Sequence, residues 1–325
     1  MALPNILVVG GAGFIGSHVA KMLSLGGYHP LIFDNLSTGN REAVKCGTFI
    51  NGDLANLRDL EEVFSNHNIT AVMHFAALID IGESVSNPLK YYTHNVTYSL
   101  NLLEVMHKFG VKTLIFSSSA AIFGYPDEVP MQEDHPCRPI SPYGQTKLIV
   151  EKILEDCDKA YGIKASCLRY FNAAGGDPKG EIKNHKDKET NLIPLILRSL
   201  KDRGKPITIY GTDYPGHDGT CIRDYIHLED LGSAHILAME KLLQGGKSTN
   251  YNLGNGNGFS VRQVIAAAEE TTGFKVNAIE GPRRPGDPPI LVADACKARS
   301  ELNWNPVYPD LKEMISHAWL ALDKV

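Results

Sequence analysis

The residues best suited to chemistry are Tyr143 and Lys147, which stand four positions, or one helical turn, apart. Ser141 and Pro142 precede them and predict the N-cap and first turn of that helix. A tyrosine hydroxyl titrates at about 10 in water, and a lysine ammonium held beside it stabilises the phenolate. The pair therefore predicts a general base that takes a proton from an alcohol near neutral pH. The same spacing also occurs on ordinary helix surfaces.

A glycine-rich turn, Gly10 to Gly16, joins an apolar strand at 5–9 to a helical pattern that runs to about Leu25. Its glycines permit a tight turn and let backbone N–H groups approach a pyrophosphate at the helix N-terminus. The next apolar run ends in Asp34, whose carboxylate can accept from a ribose 2′-hydroxyl and would repel a 2′-phosphate. Asn35, not arginine, follows it. The turn therefore predicts a dinucleotide site for NAD rather than NADP.

The composition is that of a globular enzyme. The chain has 325 residues, 43% of them hydrophobic, which is enough for one large core or for a large and a smaller lobe. A net charge of -5 gives no general attraction for nucleic acid. Six scattered cysteines without a Cys-x-x-Cys pair predict reduced thiols, no disulfide framework and no metal site. No leader and no apolar run of about 18 residues is present, so we expect a cytoplasmic protein without a membrane partner.

Strand-like and helical patterns alternate through the first half of the chain. Strands are predicted at 48–50, 71–75, 113–116 and 165–170, and helices near 56–67, 88–109 and 142–161. This alternation is typical of an α/β fold with a Rossmann-like, doubly wound parallel sheet, which binds ligands at the carboxyl ends of its strands. The pattern breaks down after Asn172. We therefore predict a dinucleotide-binding domain at 1–172 and a smaller mixed α/β substrate lobe at 173–325, with some segments returning to the first domain and a solvated loop at Lys183 to Glu189.

Taken together, these motifs resemble the extended short-chain dehydrogenase/reductase family and, within it, the UDP-glucose 4-epimerases. The resemblance covers nearly the whole chain, and the segments from Arg223 to His227 and from Arg284 to Asp287 favour the narrower group. The other segments that carry it are Gly10 to Gly16, Asp34 to Leu36, Gly52-Asp53, His74 to Ala76, Gly82 to Ser84, Ser117 to Ala120, Tyr143 to Lys147, Leu168 to Asn172, Asn191 to Pro194, Asp218 to Thr220 and Ala293-Asp294.

The resemblance implies an isomerase that holds NAD tightly and interconverts UDP-glucose and UDP-galactose. Tyr143 would take the proton of the sugar 4-hydroxyl while hydride leaves C4, and the 4-keto sugar would rotate before it receives the hydride on its other face. Lys147 would lower the pKa of Tyr143 and bond the nicotinamide ribose, and Ser119 would hydrogen-bond the 4-oxygen. Catalytic residues are therefore expected to be Tyr143, Lys147 and Ser119.

The family pattern also implies two sets of binding residues, with arginine forks placed for phosphate oxygens. The cofactor would be bound by Gly10, Gly13, Phe14, Ile15, Gly16, Asp34, Asn35, Leu36, Ser37, Thr38, Gly39, Asp53, Leu54, Phe75, Ala76, Ala77, Asn95 and Phe171, together with the three catalytic residues. The UDP-sugar would be bound by Ser119, Tyr143, Asn172, Asn191, Leu192, Thr208, Ile209, Tyr210, Arg223, Arg284, Asp287 and Leu291.

Two positions depart from the family pattern. Ile79 stands where many epimerases have a lysine, which removes one contact to a cofactor phosphate and predicts weaker retention of the nucleotide. Leu291 stands where enzymes restricted to unmodified hexoses often carry tyrosine and those that admit N-acetyl sugars carry a small residue. Leucine is intermediate in size, so the sequence leaves the sugar range open.

Several other functions compete with the epimerase interpretation. A nucleotide-sugar 4,6-dehydratase needs a carboxylic acid beside the serine, whereas Ala120 and Ala121 follow Ser119 here. A decarboxylase, an epimerase of UDP-N-acetylglucosamine or of UDP-xylose and UDP-arabinose, and a non-catalytic regulatory protein that binds a dinucleotide stay open. Such regulatory proteins typically lose the tyrosine or the lysine.

The family resemblance also implies a homodimer through the helices near 88–109 and 142–161. Its apolar face would be drawn from Leu100, Leu103, Val105, Ile149, Ile153 and Leu154.

Overall fold

The computed structural model describes residues 3–183, 190–202, 205–284 and 287–322. Its N-terminal part alternates strands and helices. The strands are β1 (Asn5–Val9), β2 (His29–Asp34), β3 (Thr48–Asn51), β4 (Ile69–His74), β5 (Thr113–Ser119) and β6 (Lys164–Tyr170). The helices are α1 (Phe14–Leu25), α2 (Leu57–Asn66), α3 (Ile81–Ser86), α4 (Pro88–Tyr92), α5 (Tyr98–Phe109) and α6 (Pro142–Tyr161).

The second half has shorter and more varied elements. Its strands are β7 (Asn172–Ala174), β8 (Ile207–Tyr210), β9 (Ile222–His227), β10 (Thr249–Leu253), β11 (Gly258–Ser260), β12 (Ala278–Gly281) and β13 (Ile290–Leu291). Its helices are α7 (Leu192–Lys201), α8 (Leu228–Leu243), α9 (Val261–Thr272), α10 (Cys296–Leu302) and α11 (Leu311–Ala321). The predicted loop at Lys183 to Glu189 lies, after Lys183, outside the described residues.

The main sheet has the order β10-β6-β5-β4-β1-β2-β3 within the described chain, and its paired strands are parallel. Along β1, Leu7 and Val9 belong to a core with α2, α5 and α6, whereas Ile6 and Val8 belong to a core with α1, α8 and α10. Alternate side chains of a strand point to opposite faces, so each face is covered by helices. The predicted Rossmann-like, doubly wound sheet is confirmed.

Segments from the second half contribute to this first sheet. Strand β10 extends it beyond β6, and α8 packs against its face with Leu231 and Ala234. The remaining strands form two small sheets, one in which β9 pairs with β7, β11 and β13, and one of β8 and β12. Helices α7, α9 and α11 surround a separate core that includes Ile196, Val264 and Ile315.

Two predicted boundaries were wrong in ways that matter for the site. Strand β5 does not stop at Phe116 but continues to Ser119, because the backbone of the three serines stays paired with β6. The predicted helix at 88–109 is divided by a π-helical segment, Thr93–Thr97, which separates α4 from α5. Such local widening often occurs at functional positions.

Candidate active site

Tyr143 and Lys147 lie in the first turns of α6, on the side that faces β5. Ser141 caps this helix by accepting a hydrogen bond from the Gly144 N–H at 3.2 Å, and Pro142 occupies the first turn. The Lys147 side chain is 3% exposed, and its Nζ donates to the Ser117 carbonyl at 2.7 Å. The same Nζ lies 5.9 Å from the centre of the Tyr143 ring. The predicted pair is therefore brought together against the end of β5.

Ser119 completes this cluster at the last position of β5. Its hydroxyl accepts from the Ala121 N–H at 3.1 Å, which caps the short 3-10 turn at 120–122, and it hydrogen-bonds the Tyr143 hydroxyl. A sugar oxygen at this point would meet two hydroxyl groups on neighbouring elements. Such a pair can exchange a proton with an alcohol and hold the resulting oxygen.

The pKa of Tyr143 differs from the sequence prediction. We expected Lys147 to lower it, but burial of the phenol raises it, and the hydrogen bond from Ser119 only partly opposes this. Burial also lowers the pKa of Lys147 to about 7, against a smaller opposing effect of the Glu151 charge. Both shifts follow from the cost of holding a charge in a low dielectric. Sequence spacing predicted the residues but not this desolvation.

The glycine-rich turn fits a dinucleotide because side chains are excluded from it. Gly10 has φ +77, and a Cβ on it would lie 2.6 Å from the backbone nitrogen of Ala76. A Cβ on Gly16 would collide with the Gly10 carbonyl. Gly13 caps α1 without any side-chain hydrogen bond, and the backbone N–H groups of the first turn point towards the loop. Phe14, Ile15 and Gly16 form that first turn.

Asp34 closes the other side of this loop at the end of β2. Its Oδ2 accepts from the Ala12 N–H at 2.9 Å and its Oδ1 accepts from the Leu36 N–H at 2.8 Å. Burial raises the pKa of this carboxyl despite these two bonds. Leu36 has φ 59, an unfavourable left-handed conformation for a leucine. The carboxylate thus holds a strained loop beside the glycine turn.

A pocket joins the glycine turn to the end of β2. The predicted cofactor residues that line it are Gly10, Gly13, Asp34, Asn35, Ser37, Thr38, Asp53, Leu54, Ala76 and Ala77. Five residues that were not among the predicted cofactor residues also line it, namely Phe33, Gly52, Leu78, His94 and Tyr98. Asn35 spans the pocket edge by donating to Asp53 Oδ2 at 2.9 Å. Tyr98 is the first residue of α5 and His94 lies in the π-helical segment before it, and no local motif marked either residue.

Four other predicted cofactor residues do not line this pocket. Asn95, in the π-helical segment, bonds the N–H of Leu78 at 2.9 Å and its carbonyl at 3.0 Å, and so holds the loop after β4. Gly39 lies directly against Asp34, and the ring of Phe75 packs 4.9 Å from that of His235. Phe171 packs instead beside Leu291, near Ala120 and Phe123. Ile79 is exposed.

The predicted substrate residues outside the catalytic cluster lie in four places. Arg223 on β9 forms an ion pair with Asp287, and Leu291 pairs with Arg223 across β13 and β9. Arg284 is exposed and stacks 4.2 Å from the centre of the Tyr210 ring, on the strand that also carries Thr208 and Ile209. Asn172 donates to the Asp224 carbonyl at 2.8 Å. Asn191 occupies the N-cap position of α7 without a side-chain capping bond, and Leu192 is partly buried against the core around that helix.

Asp224 is a residue whose role the sequence did not indicate. It is fully buried and accepts hydrogen bonds from the N–H groups of Asn255, Gly256 and Ala293 at 2.9, 3.1 and 3.1 Å. Burial raises its pKa to about 6. Arg223 directly precedes Asp224, and Ala293 lies just after Leu291. Asp224 therefore fixes strands β9 and β13, which carry the predicted substrate residues Arg223 and Leu291. No spacing rule reveals such contacts, which join positions up to 69 residues apart.

Neither a metal cluster nor a membrane span was found in the described parts of the chain. No group of three or more His, Cys, Asp or Glu side chains is placed there to hold a metal ion. None of the helices within the described ranges combines the length and hydrophobicity needed to cross a bilayer. All six cysteines are free thiols.

Comparison with known proteins agrees with this geometry. The NAD dependent epimerase/dehydratase family matches residues 6–254. UDP-glucose 4-epimerase from Halalkalibacterium halodurans is 46% identical over 97% of this chain and 94% of its own length. The crystal structure of UDP-glucose 4-epimerase from Brucella ovis in complex with NAD has a TM-score of 0.95 and 45% identity, with 97% of both chains covered. The enzyme from Bifidobacterium longum, in complex with NAD+ and UDP, has a TM-score of 0.92 and 36% identity over 98% of this chain and 97% of that one. The chain therefore belongs to the NAD dependent epimerase/dehydratase family, in which these relatives are UDP-glucose 4-epimerases.

Proposed function

We propose that this protein is an NAD-dependent isomerase that interconverts UDP-glucose and UDP-galactose. The observation that carries the proposal is the cluster of Tyr143, Ser119 and Lys147 at the carboxyl end of β5, beside a glycine turn that fits a dinucleotide. Full-length similarity to UDP-glucose 4-epimerases supports it. The cofactor is NAD, which when bound accepts a hydride from the sugar and returns it.

The roles of the residues follow from their positions. Tyr143 takes the proton of the sugar 4-hydroxyl, and Ser119, hydrogen-bonded to Tyr143, holds the 4-oxygen as charge develops. Because burial raises the pKa of Tyr143, this base needs a positive charge near its oxygen, and Lys147 in its protonated form supplies one, with Nζ 5.9 Å from the ring centre. The 4-keto sugar then rotates within its pocket, and C4 receives hydride on its other face. Tyr143 returns the proton.

The cofactor and substrate residues are assigned on the same grounds. Asp34 accepts from the adenosine ribose, while the N–H groups at the start of α1 bind the pyrophosphate. Arg223 and Arg284 bind the diphosphate of the sugar nucleotide, and Asn172, Asn191, Leu192, Thr208, Ile209, Tyr210 and Asp287 surround the nucleotide. Arg223 donates to Asp287 and to the Ile222 carbonyl, so its fork is already oriented. Leu291 faces the sugar.

A wider sugar range is the second candidate function. Leu291 packs beside Phe171 in a small apolar cluster and is half-buried. A hydrophobic wall of this kind discriminates weakly against added groups unless they collide with it. UDP-N-acetylglucosamine is therefore a weaker substrate in this proposal. UDP-xylose and UDP-arabinose are the further alternatives to be assayed.

Activity on UDP-galactose tests the proposal directly. The protein is incubated with UDP-galactose and NAD, and the UDP-glucose formed is measured in a coupled assay. Turnover that disappears in Tyr143→Phe supports the epimerase. Tight binding of NAD without turnover of any of these UDP-sugars would instead identify a regulatory protein that binds the dinucleotide.

We also propose the division into a domain at 1–172 and a UDP-sugar lobe at 173–325, with α8 and β10 returning to the first sheet. A homodimer through α5 and α6 is proposed as well. Of the six side chains considered for its face, Leu103, Val105 and Leu154 are buried in the protein's own core, whereas Leu100 is 44% exposed and Ile149 and Ile153 are half-buried. Comparing the sedimentation of the Leu100→Glu variant with that of the unmodified protein tests the dimer.

We also propose that the protein is located in the cytoplasm, where free thiols stay reduced.

A further inference from the structure

A buried ion pair lies directly beneath the catalytic cluster. Glu151 on α6 and Arg169 on β6 have side chains that are 3% and 5% exposed. The Arg169 Nε and one terminal nitrogen donate to both Glu151 oxygens, at distances of 2.6 to 3.2 Å, and the other terminal nitrogen donates to the Glu133 carbonyl at 2.8 Å. Removing two charges from water is costly, so such a pair contributes little net stability. Its position needs another explanation.

Ser118 connects this ion pair to the active site. Its hydroxyl donates to Glu151 Oε1 at 2.5 Å and is itself 1% exposed. Ser118 is the middle residue of the serine segment, Ser117–Ser119. On one side of it the Ser117 carbonyl accepts from Lys147, and on the other the Ser119 hydroxyl bonds Tyr143. Movement of Ser118 would therefore displace both contacts.

The spacing along α6 matches these three contacts. Tyr143, Lys147 and Glu151 are four residues apart and so lie along one side of the helix. Each reaches a different residue of the serine segment: Tyr143 bonds Ser119, Lys147 bonds Ser117 and Glu151 bonds Ser118. Arg169 lies opposite Ser118 in the β5–β6 ladder and fixes the far end of the Glu151 carboxylate. The ion pair thus clamps the segment to the helix.

We propose that Glu151, oriented by Arg169, is a positioning residue for the epimerase reaction: through Ser118 it sets the distance between the serine segment and the Tyr143–Lys147 pair, and it places a negative charge one helical turn from the Lys147 ammonium. This inference rests on the proposed function. It assigns a catalytic purpose to a buried pair that touches neither substrate nor cofactor.

Ser118→Ala tests the link, because it removes the hydroxyl and leaves the ion pair in place. We expect kcat for UDP-galactose to fall roughly tenfold, since small misplacements of reacting groups are costly, while KM stays within about twofold. Ser166→Ala on β6 is the matched control, because Ser166 is also 1% exposed and lies in the neighbouring strand. It should leave kcat unchanged. Ser118→Thr, which retains a hydroxyl, should restore most of the lost rate.

Glu151→Gln tests the charge. Loss of the carboxylate beside Lys147 should move the alkaline limb of the kcat profile to lower pH, by at least about 0.5 pH unit, whereas Ser118→Ala should leave that limb in place. Unchanged kcat in Ser118→Ala overturns the inference, and so do equal losses in Ser118→Ala and Ser166→Ala. If Glu151→Gln does not fold, the two serine variants decide the matter. An inactive unmodified protein would refute the proposed function instead.

Discussion

Lys147→Met should make the protein more stable while it removes activity. The ammonium is buried, and burial lowers its pKa from an ordinary 10.5 to about 7. Between pH 7 and 10.5, Lys147 therefore keeps its proton in the unfolded chain and has released it in the folded chain. Stability rises with pH wherever the unfolded state binds more protons. The unmodified protein should accordingly become more stable as pH rises through this range.

The magnitude follows from the same two pKa values. The buried lysine costs the folded state about 4 kcal/mol at pH 7 and about 2 kcal/mol at pH 9. Methionine has a similar length and no charge, so it avoids this cost, but it leaves the Ser117 carbonyl without its bond from Nζ, a loss of about 1 to 3 kcal/mol. We therefore expect Lys147→Met to gain about 1 to 3 kcal/mol at pH 7. The lost hydrogen bond does not depend on pH, so the advantage should shrink by about 2 kcal/mol at pH 9.

Urea unfolding of NAD-free protein at pH 7 and pH 9 measures both quantities, and fluorescence of the buried Trp304 reports the transition. Lys159→Met is the control, because the Lys159 side chain is 74% exposed and pairs only at the surface with Asp156. Its effect should be within about 0.5 kcal/mol and the same at both pH values. If the difference between Lys147→Met and the unmodified protein is identical at pH 7 and pH 9, the desolvation argument is refuted.

Three further substitutions test the proposed site. Tyr143→Phe should retain the fold and bound NAD, because the ring still fills its place, but lose at least roughly a hundredfold in kcat; near-normal turnover would remove Tyr143 from the mechanism. Asp34→Ala should weaken NAD binding and reduce the preference for NAD over NADP. Dissociation constants measured for both cofactors test this, and an unchanged ratio of the two constants counts against Asp34 as the residue that selects NAD. Leu291→Tyr should abolish turnover of UDP-N-acetylglucosamine and spare UDP-galactose, because the ring would occupy the acetamido volume. Equal losses in kcat/KM for both sugars would mean that Leu291 does not control the sugar range.

The elements that the sequence predicted well are those with local signals at their ends. Helix α6 runs over the predicted range 142–161 because Ser141 caps its start and Gly162, with φ 67, ends it in the left-handed conformation. Strand β1 matches its apolar run for a similar reason, since a strand covered on both faces is apolar throughout. The end of β5 was missed because three serines do not look like a buried strand. Their backbone pairs with β6, which only the assembled sheet provides.

The residues of the candidate site were easier to predict than their environment. Residue types and spacing pointed to Tyr143, Lys147 and Asp34, because their chemistry depends on the functional group and on position at a strand or helix end. The direction of the Tyr143 pKa was predicted wrongly, because desolvation depends on how much of the chain packs around the phenol. Asp224 was missed for the same reason. Its hydrogen-bond partners lie 31, 32 and 69 residues away, so no local pattern indicates them.

The two buried charges on α6 differ in how the fold compensates them. Glu151 accepts three hydrogen bonds from Arg169 and a fourth from Ser118, so both oxygens of its carboxylate are paired. The Lys147 ammonium has three N–H groups and, among the described residues, one protein acceptor at 2.7 Å. Burial lowers the pKa of Lys147, whereas for Arg169 the same effect of burial is outweighed by the hydrogen bonds and negative charge of Glu151, which raise the pKa of the guanidinium above its ordinary value. The same helix thus pairs Glu151 completely and leaves Lys147, one turn earlier, with unused N–H donors, as the proposed bonds of Lys147 to a cofactor ribose require.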